Sequence, residues 1–178
     1  MLELVEPDLA RHAAWLASHQ EWGPGLHEDG FGLAADDDVE SAEGFARWTS
    51  RVTALATARL WWIVDRDEVV GGIALRTANT DDVLQRGHVG YGVRPSARGR
   101  GIATWALGEV LRHAQAAGLH RILAVCLEDN IASIKTIQRH AGVLEGVVTD
   151  EHGLRRRRYW IELGQAGPAT GQPRRRLP

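Results

Sequence analysis

The sequence predicts an α+β fold built on a mixed β-sheet, and three observations lead to that class. A chain of 178 residues suits one domain with one sizeable core. Three apolar runs between residues 60 and 93 look like consecutive antiparallel strands. Between residues 93 and 142 a helix, a strand and a second helix follow, and this order requires one right-handed parallel crossover near the middle of the sheet. We therefore expect a single domain over residues 1–163, followed by a flexible Gly/Pro-rich tail at residues 164–178.

The first third of the chain is predicted to contain one strand and two helices. The segment LELVE alternates as a short strand, and Pro7 and Asp8 then open a helix that runs through Trp15. After a glycine-rich loop, Ser41 is suited to cap a second helix. The apolar residues of this helix recur at helical spacing, at Phe45, Trp48, Val52 and Leu55.

The middle of the chain is predicted to form three strands and a helix. LWWIVD and VVGGIALR read as two strands joined by a turn-like Arg-Asp pair, and a third strand covers about residues 88–93. The helix that follows begins near residue 101 and ends at a glycine, residue 118.

The last third is predicted to contain a buried strand, a short helix and a hairpin. RILAVCL is a continuous apolar run, which is typical of a strand covered on both faces. NIASIKTIQRHAG has an asparagine cap at one end and a glycine at the other, as a short helix does. Residues 143–163 are expected to form a hairpin that turns near His152 and Gly153.

Composition excludes several classes of function. The formal net charge is −2 and the sequence pI is about 6.4, so the chain as a whole does not attract nucleic acid or an anionic membrane. The single cysteine, Cys126, excludes a disulfide framework or a cysteine metal cluster, and it lies in an apolar run suited to the core. The N-terminus lacks the pattern of a signal peptide, and no window reaches about 18 apolar residues. We expect a soluble, cytoplasmic protein with no metal, nucleic-acid or membrane partner.

The stretch GVRPSARGRGIAT, residues 92–104, carries the first functional signal. A strand leads into a glycine-rich loop and then into a helix, an order that points several unpaired backbone N–H groups at one place. Such groups, with the positive end of the helix dipole, can hold a phosphate. Arg98 or Arg100 could add charge at the rim. The alternative is a solvated helix start without a ligand.

Here the residues resemble a family. Arg98 to Ala103 reads R-G-R-G-I-A, which is similar to the Q/R-x-x-G-x-G/A signature of the GCN5-related N-acetyltransferases (GNAT), whose backbone amides bind the pyrophosphate of acetyl-coenzyme A. No Gly-Lys-Ser/Thr follows, so a P-loop is excluded. A second block, EDNIASIKTIQRHAGVLE, is similar to the later motif of that family. The resemblance covers roughly residues 60 to 163 and is greatest to the branch of ribosomal-protein and antibiotic acetyltransferases.

The resemblance implies the acyl-CoA N-acyltransferase fold: α/β/α layers around a mostly antiparallel, twisted sheet with a central splay and a β-α-β-α cofactor core. It also implies that backbone groups of the strand before the loop pair with the pantetheine arm, as an added strand would. Asn130 and Ser133 would face the arm and Lys135 the 3′-phosphate, although Asn130 could be only a helix cap and Lys135 only a surface charge. The expected cofactor-binding residues are Tyr91, Gly92, Val93, Arg94, Arg98, Gly99, Arg100, Gly101, Ile102, Ala103, Thr104, Asn130, Ser133 and Lys135.

The chemistry of such an enzyme needs a proton acceptor, because an alkyl amine has a pKa near ~10.4 and arrives protonated. Many relatives have a glutamate at the position that matches His88, so His88 is the first candidate base. The alternative is that His88 is only an exposed residue at the end of a strand. Glu128 and Asp129 are the second candidates, and they could instead only solvate the next helix. The backbone N–H near Val93 is expected to stabilise the oxyanion.

The leaving thiolate takes a proton from a tyrosine in many relatives, but Ile137 occupies that position here. Ser133, Tyr91 or water would then donate the proton, or no protein acid is needed.

The acceptor side is predicted from charge. Residues 28–43 contain seven carboxylates and no lysine or arginine, so Asp36, Asp37 and Asp38 are expected to bind a cationic amine, or else to form a solvated loop. Trp22, Phe31 and Trp48 could add an aromatic wall, although Trp48 is first expected in the core.

The arginines at residues 155–158 are expected to keep a strand at the edge of the sheet soluble. The alternative is that they dock the protein to nucleic acid or the ribosome.

We therefore expect an N-acetyltransferase that moves an acetyl group from acetyl-CoA directly to a primary amine in a ternary complex. The acceptor is expected to be a small cationic molecule such as an antibiotic, an amino compound or a polyamine. The alternatives are the N-terminus of a protein, in the manner of the ribosomal-protein enzymes, and a noncatalytic acyl-CoA-binding module. A homodimer is also possible.

Overall fold

The computed structural model describes residues 1–23, 27, 31–78, 80–150 and 153–164. Seven strands form one sheet in the order β1-β2-β3-β4-β5-β7-β6, and every neighbouring pair is antiparallel except β4 and β5, which are parallel. The strands are β1 (Leu2–Val5), β2 (Ala58–Asp65), β3 (Glu68–Arg76), β4 (Val89–Val93), β5 (Arg121–Leu127), β6 (Val143–Thr149) and β7 (Arg155–Glu162). The predicted mixed, mostly antiparallel sheet is thus confirmed.

Five α-helices cover the sheet within the described residues. They are α1 (His12–Trp22), α2 (Ala42–Thr53), α3 (Asp81–Arg86), α4 (Ile102–Ala116) and α5 (Ile131–Arg139). Ser41 caps α2 through its hydroxyl, as its position in the sequence predicts, and α4 supplies the predicted connection between β4 and β5. None of the described helices is both long and apolar enough to cross a membrane.

The two faces of the sheet have separate cores. On one face α1 and α2 bury an aromatic cluster in which the rings of Trp15, Phe45, Trp48 and Trp62 lie within 4.7–6.5 Å of one another. On the other face α4 and α5 pack on an aliphatic core that includes Cys126. The predicted core position of Cys126 is confirmed, and burial raises the pKa of its thiol.

Three parts of the sequence prediction differ from the structure. Helix α3 lies between β3 and β4, where no helix is predicted, because six residues are too few to show a helical period. The helix predicted to include Leu55 ends at Thr53, and Leu55 is 39% exposed. The first helix begins later than predicted, since Asp8 caps a 3-10 turn that precedes α1.

Two further predictions fall on residues outside the described part of the chain. His152 of the predicted hairpin turn is one, and the predicted tail from residue 165 onward is the other.

Candidate active site

The central strands β4 and β5 part soon after they meet. They share one ladder pair, Val89 with Ala124, whereas β3 and β4 share five pairs. From Gly90 to Val93 the edge of β4 that faces β5 has no ladder pair among the described residues. Because β5 does not cover this edge, an extended ligand can lie beside β4 and pair with its backbone, although the carbonyl of Val93 already accepts from Arg98.

The closed end of the splay is held by His88. Its backbone N–H donates to the carbonyl of Leu123 (2.7 Å), and its ring Nδ1 accepts from the backbone N–H of Leu123 (2.9 Å). His88 is only 5% exposed. Burial lowers the pKa of this imidazole, and the charges of Arg121 and Arg76 lower the pKa further.

The loop after β4 presents backbone N–H groups at the start of α4. Gly99 and Gly101 have φ angles of 77° and 76°, and Gly101 is the N-cap residue of α4. No side chain caps this helix, in contrast to α2, capped by Ser41, and α5, capped by Asn130. Because the first N–H groups of a helix have no partner within it, the start of α4 is suited to an anion.

The three arginines of the loop bind the protein itself. Arg94 pairs with Glu68 and, at 3.4 Å, with Glu21. Arg98 donates to the carbonyl of Val93 (2.9 Å) and lies over the ring of Trp22, and Arg100 pairs with Asp65 at 2.7 Å. These side chains hold the loop in place, so its affinity for an anion depends first on the backbone.

Glu21 is a residue that the sequence analysis missed. This carboxylate, in the last turn of α1, accepts from the backbone N–H of Ser96 (2.5 Å) and from the Ser96 hydroxyl (2.9 Å). The bond to the backbone lowers the pKa of Glu21 most, followed by the bond to the hydroxyl and by the charges of Arg94 and Arg98. The two partners are 75 positions apart in the chain, and no local pattern connects them.

At the other side of the splay, Asn130 caps α5 by accepting from the N–H of Ser133 (3.0 Å). That bond uses Oδ1 and leaves the amide NH2 group as a donor. Lys135 is exposed on α5, and Ile137 is 1% exposed within the core. Ile137 therefore packs α5 against the core.

Helices α4 and α5 are joined close to the loop. The ring Nε2 of His140, just after α5, hydrogen-bonds with the carbonyl of Thr104 at 2.7 Å. Gly108 makes room for this ring, since a Cβ there would lie 3.0 Å from its Cε1 atom. The Thr104 and Thr136 hydroxyls lie 3.5 Å apart beside it.

A cavity of about 380 Å³ opens at the end of β5, beside the hairpin of β6 and β7. It is lined by Leu127, Glu128, Asp129, Gly153, Leu154 and Arg155. Arg155 donates to both oxygens of Glu128, and this interaction holds the pKa of the Glu128 carboxyl below its usual range. The cavity therefore contains a fixed, ionised carboxylate with apolar side chains around it.

The acidic segment before α2 makes bonds within its own region. Asp37 accepts from Arg51 (2.9 Å) and from the N–H of Ala34 (2.7 Å), and Asp38 accepts from both the N–H and the hydroxyl of Ser41. These hydrogen bonds lower the pKa of both carboxyls. Asp36 is exposed. The structure thus ties two of the three predicted acceptor residues to α2 and its cap, while Glu28 and Asp29 lie outside the described residues.

The predicted aromatic wall is divided. Trp22 lies under Arg98 at the loop after β4, and Phe31 lies 5.2 Å from the guanidinium of Arg76. Trp48 is buried in the aromatic core.

The basic run on β7 is matched by carboxylates. Arg155 pairs with Glu128, Arg156 with Asp150, Arg157 with Glu128 at 3.9 Å, and Arg158 with Glu145. This pairing leaves little net positive charge for nucleic acid to recognise.

Comparison with known proteins agrees with this geometry. The family model described as an acetyltransferase (GNAT) domain matches residues 2–142. No curated protein sequence matches the chain.

Several solved structures share the fold. The microcin C7 self-immunity acetyltransferase MccE, in complex with acetyl-CoA and AMP, is 18% identical, with 90% of this chain and 92% of that chain covered and a TM-score of 0.66. An acetyltransferase from Salmonella typhimurium that modifies the N-terminal serine of ribosomal protein L7/L12 is 21% identical (coverage 92% and 95%, TM-score 0.65). A chimera of the spermidine N-acetyltransferase SpeG from Vibrio cholerae and hSSAT is 15% identical (coverage 91% and 95%, TM-score 0.65).

The parted strands, the uncapped start of α4 and the family match together support one assignment. The chain belongs to the GNAT family and is an N-acetyltransferase that uses acetyl-CoA.

Proposed function

We propose that the protein acetylates a primary amine on a small cationic molecule, such as an antibiotic, an amino compound or a polyamine. The observation that carries this proposal is the cavity at the end of β5, where Glu128 and Asp129 lie beside Leu127 and Leu154. Its volume of about 380 Å³ is in the range of small-molecule sites. Carboxylates next to apolar side chains suit an ammonium group on an aliphatic or ring scaffold.

Acetyl-CoA, when bound, supplies the activated acetyl thioester. In our proposal the open edge of β4 at Tyr91, Gly92 and Val93 binds the pantetheine arm through its backbone. The N–H groups of Ile102, Ala103 and Thr104 in the first turn of α4 bind the pyrophosphate, because Gly99 and Gly101 allow it to approach the backbone. The amide NH2 of Asn130 donates to the pantetheine arm. Ser133 lies about one turn further along α5, and Lys135 follows it on the same helix.

The proton of the incoming ammonium group needs an acceptor near the cavity. Glu128 is fixed by Arg155 and its pKa is lowered, which makes it a better binding group for the ammonium ion than a base. Asp129 lines the same cavity and is exposed, so we assign it, with solvent, the transfer of the proton. The neutral amine then attacks the thioester directly, with no covalent enzyme intermediate. A thiol has a pKa near ~8.5, so it can leave as thiolate without the tyrosine that Ile137 replaces.

Thiol release from acetyl-CoA, measured with a panel of amines, tests the proposal. The panel contains spermidine, amino sugars and a peptide with an N-terminal serine. Asp129→Asn is expected to lower kcat about 100-fold, the lower range for loss of an acid-base group. Glu128→Gln is expected to raise KM for the amine about tenfold with a smaller effect on kcat. Glu109→Gln, in a surface pair with Arg112 on α4, is the matched control and should change neither constant.

Two outcomes would contradict this acceptor. If the peptide is acetylated far faster than every small amine, the protein is an N-terminal acetyltransferase for proteins. If acetyl-CoA binds tightly and no amine stimulates thiol release, the chain is a binding module.

A further inference from the structure

One side chain, that of His88, lies where β4 and β5 separate and bonds across the gap. In a parallel ladder the N–H groups of one strand donate to carbonyls of the next. At Leu123 the donor goes instead to the ring Nδ1 of His88, while the carbonyl of Leu123 accepts from the backbone of the same histidine. One residue thus satisfies both backbone groups of Leu123. A single ladder pair, Val89 with Ala124, follows before the strands part.

This bond also fixes the state of the ring. A backbone N–H can only donate, so Nδ1 must be unprotonated, and the proton of the neutral imidazole lies on Nε2. The one lone pair that a neutral ring offers is then already used. The ring is 5% exposed, and its centroid lies 6.3 Å from that of Trp160 on β7. To act as a base, His88 would have to give up its bond to Leu123 and become charged in a buried place.

We propose that His88 is a positioning residue that sets where the splay opens, and that it is not the general base. Its ring fixes the separation of β4 and β5 at the closed end of the splay. The edge from Gly90 to Val93 starts two residues further on, so its placement follows from this contact. Loss of the contact lets the two strands shift against each other and moves the edge that binds the cofactor arm.

His88→Asn separates positioning from base catalysis. The Oδ1 atom of asparagine is attached to Cγ, as Nδ1 of histidine is, so it can accept the N–H of Leu123 but cannot serve as a base near neutral pH. His88→Leu keeps the volume and removes the acceptor. We expect His88→Asn to keep kcat within about threefold of the unsubstituted enzyme, because the bond is retained. We expect His88→Leu to raise KM for acetyl-CoA about tenfold and to lower Tm, since it leaves a buried N–H without a partner.

The proposal is overturned if His88→Asn loses about 100-fold or more in kcat while its affinity for coenzyme A, measured by calorimetry, is unchanged, because that is the signature of a lost base. A second measurement does not depend on either variant folding. In the ¹⁵N spectrum of the unsubstituted protein at pH 7.5, we expect the His88 ring to carry its proton on Nε2. A ring protonated on Nδ1 would contradict the bond to Leu123 and the proposal with it.

Discussion

The carboxylate of Glu21, in the last turn of α1, accepts two hydrogen bonds from Ser96 in the loop between β4 and α4. One comes from the backbone N–H of Ser96 at 2.5 Å and the other from its hydroxyl at 2.9 Å. The same carboxylate lies 3.4 Å from Arg94. The last turn of α1 and the entrance of the loop are therefore one connected structure.

Glu21→Ala is expected to weaken binding of acetyl-CoA about tenfold. The substitution removes two charge-assisted hydrogen bonds from the segment that positions the loop. Titration with acetyl-CoA measures the effect. Glu6→Ala, which removes an exposed pair with Arg59 between β1 and β2, is the control and should leave affinity within about twofold. Equal effects of both substitutions would show that Glu21 acts only through general stability.

Gly101→Ala is expected to lower both stability and affinity for acetyl-CoA. A Cβ at this position has nothing within 4 Å, but φ is 76°, which costs an alanine roughly 1 kcal/mol. A shift of the first turn of α4 should weaken pyrophosphate binding about fivefold, the size of a helix-terminus interaction with an anion.

Gly118→Ala is the matched control for this experiment. Gly118 lies beyond the other end of α4, has φ of 84° and also has open space around its Cβ position. Gly118→Ala should lower the free energy of unfolding, measured with urea, about as much as Gly101→Ala does. Its affinity for acetyl-CoA should be unchanged. If Gly101→Ala binds acetyl-CoA as tightly as Gly118→Ala, the start of α4 does not hold the pyrophosphate.

Gly71→Ala should destabilise the sheet and disturb the splay together. A Cβ there would lie 2.2 Å from the carbonyl oxygen of Gly92 and 3.1 Å from Cα of Val93, so β3 and β4 must move apart. Overpacking of this kind costs about 1–3 kcal/mol in free energy of unfolding. Gly146→Ala on β6, with nothing within 4 Å, is expected to be neutral or slightly stabilising. Equal unfolding midpoints for the two variants would contradict the close contact.

Stability should begin to fall as the pH drops below about 6.5, the ordinary value for histidine. The folded state holds His88 neutral with a lowered pKa, because of burial and the charges of Arg121 and Arg76, whereas the unfolded state takes up the proton. The contribution of the His88 ring to the free energy of unfolding is complete above pH 6.5. It is lost as the pH falls from that value to the lower pKa that the ring has in the folded protein.

His88→Asn should remove this part of the pH dependence, measured as Tm between pH 8 and pH 5. The carboxylates with lowered pKa values, such as Glu21 and Glu128, lose their contribution only at more acidic pH. An identical decline in both proteins between pH 6.5 and pH 5 would exclude His88 as its source.

Local chemistry made much of the fold predictable. The strands alternate or run apolar, Ser41 and Asn130 are good caps, and glycines end or begin helices at positive φ. Helix α3 escaped prediction because its six residues include a buried Val83 and an exposed Leu84 without a repeating pattern.

The site was less predictable because its contacts join distant positions. The loop motif at residues 98–103 identified the start of α4, a local feature. The environment of His88 depends on Leu123, 35 positions away, and that of Ser96 depends on Glu21, 75 positions away. Charge alone also did not reveal that Arg51 and Ser41 bind the carboxylates of Asp37 and Asp38, so the predicted role of this acidic segment stays a prediction.

The hydrogen bond between His140 and the carbonyl of Thr104 joins the two helices on either side of the cofactor cleft. Asp129, Leu154 and the segment before α2 lie outside this joined pair. Under the proposed function, residues that contact the amine can therefore change during evolution without disturbing this joined pair. Substitutions at residue 154 should be tolerated in many combinations, whereas a large side chain at Gly108 should displace the His140 ring, because even a Cβ there would lie 3.0 Å from its Cε1 atom.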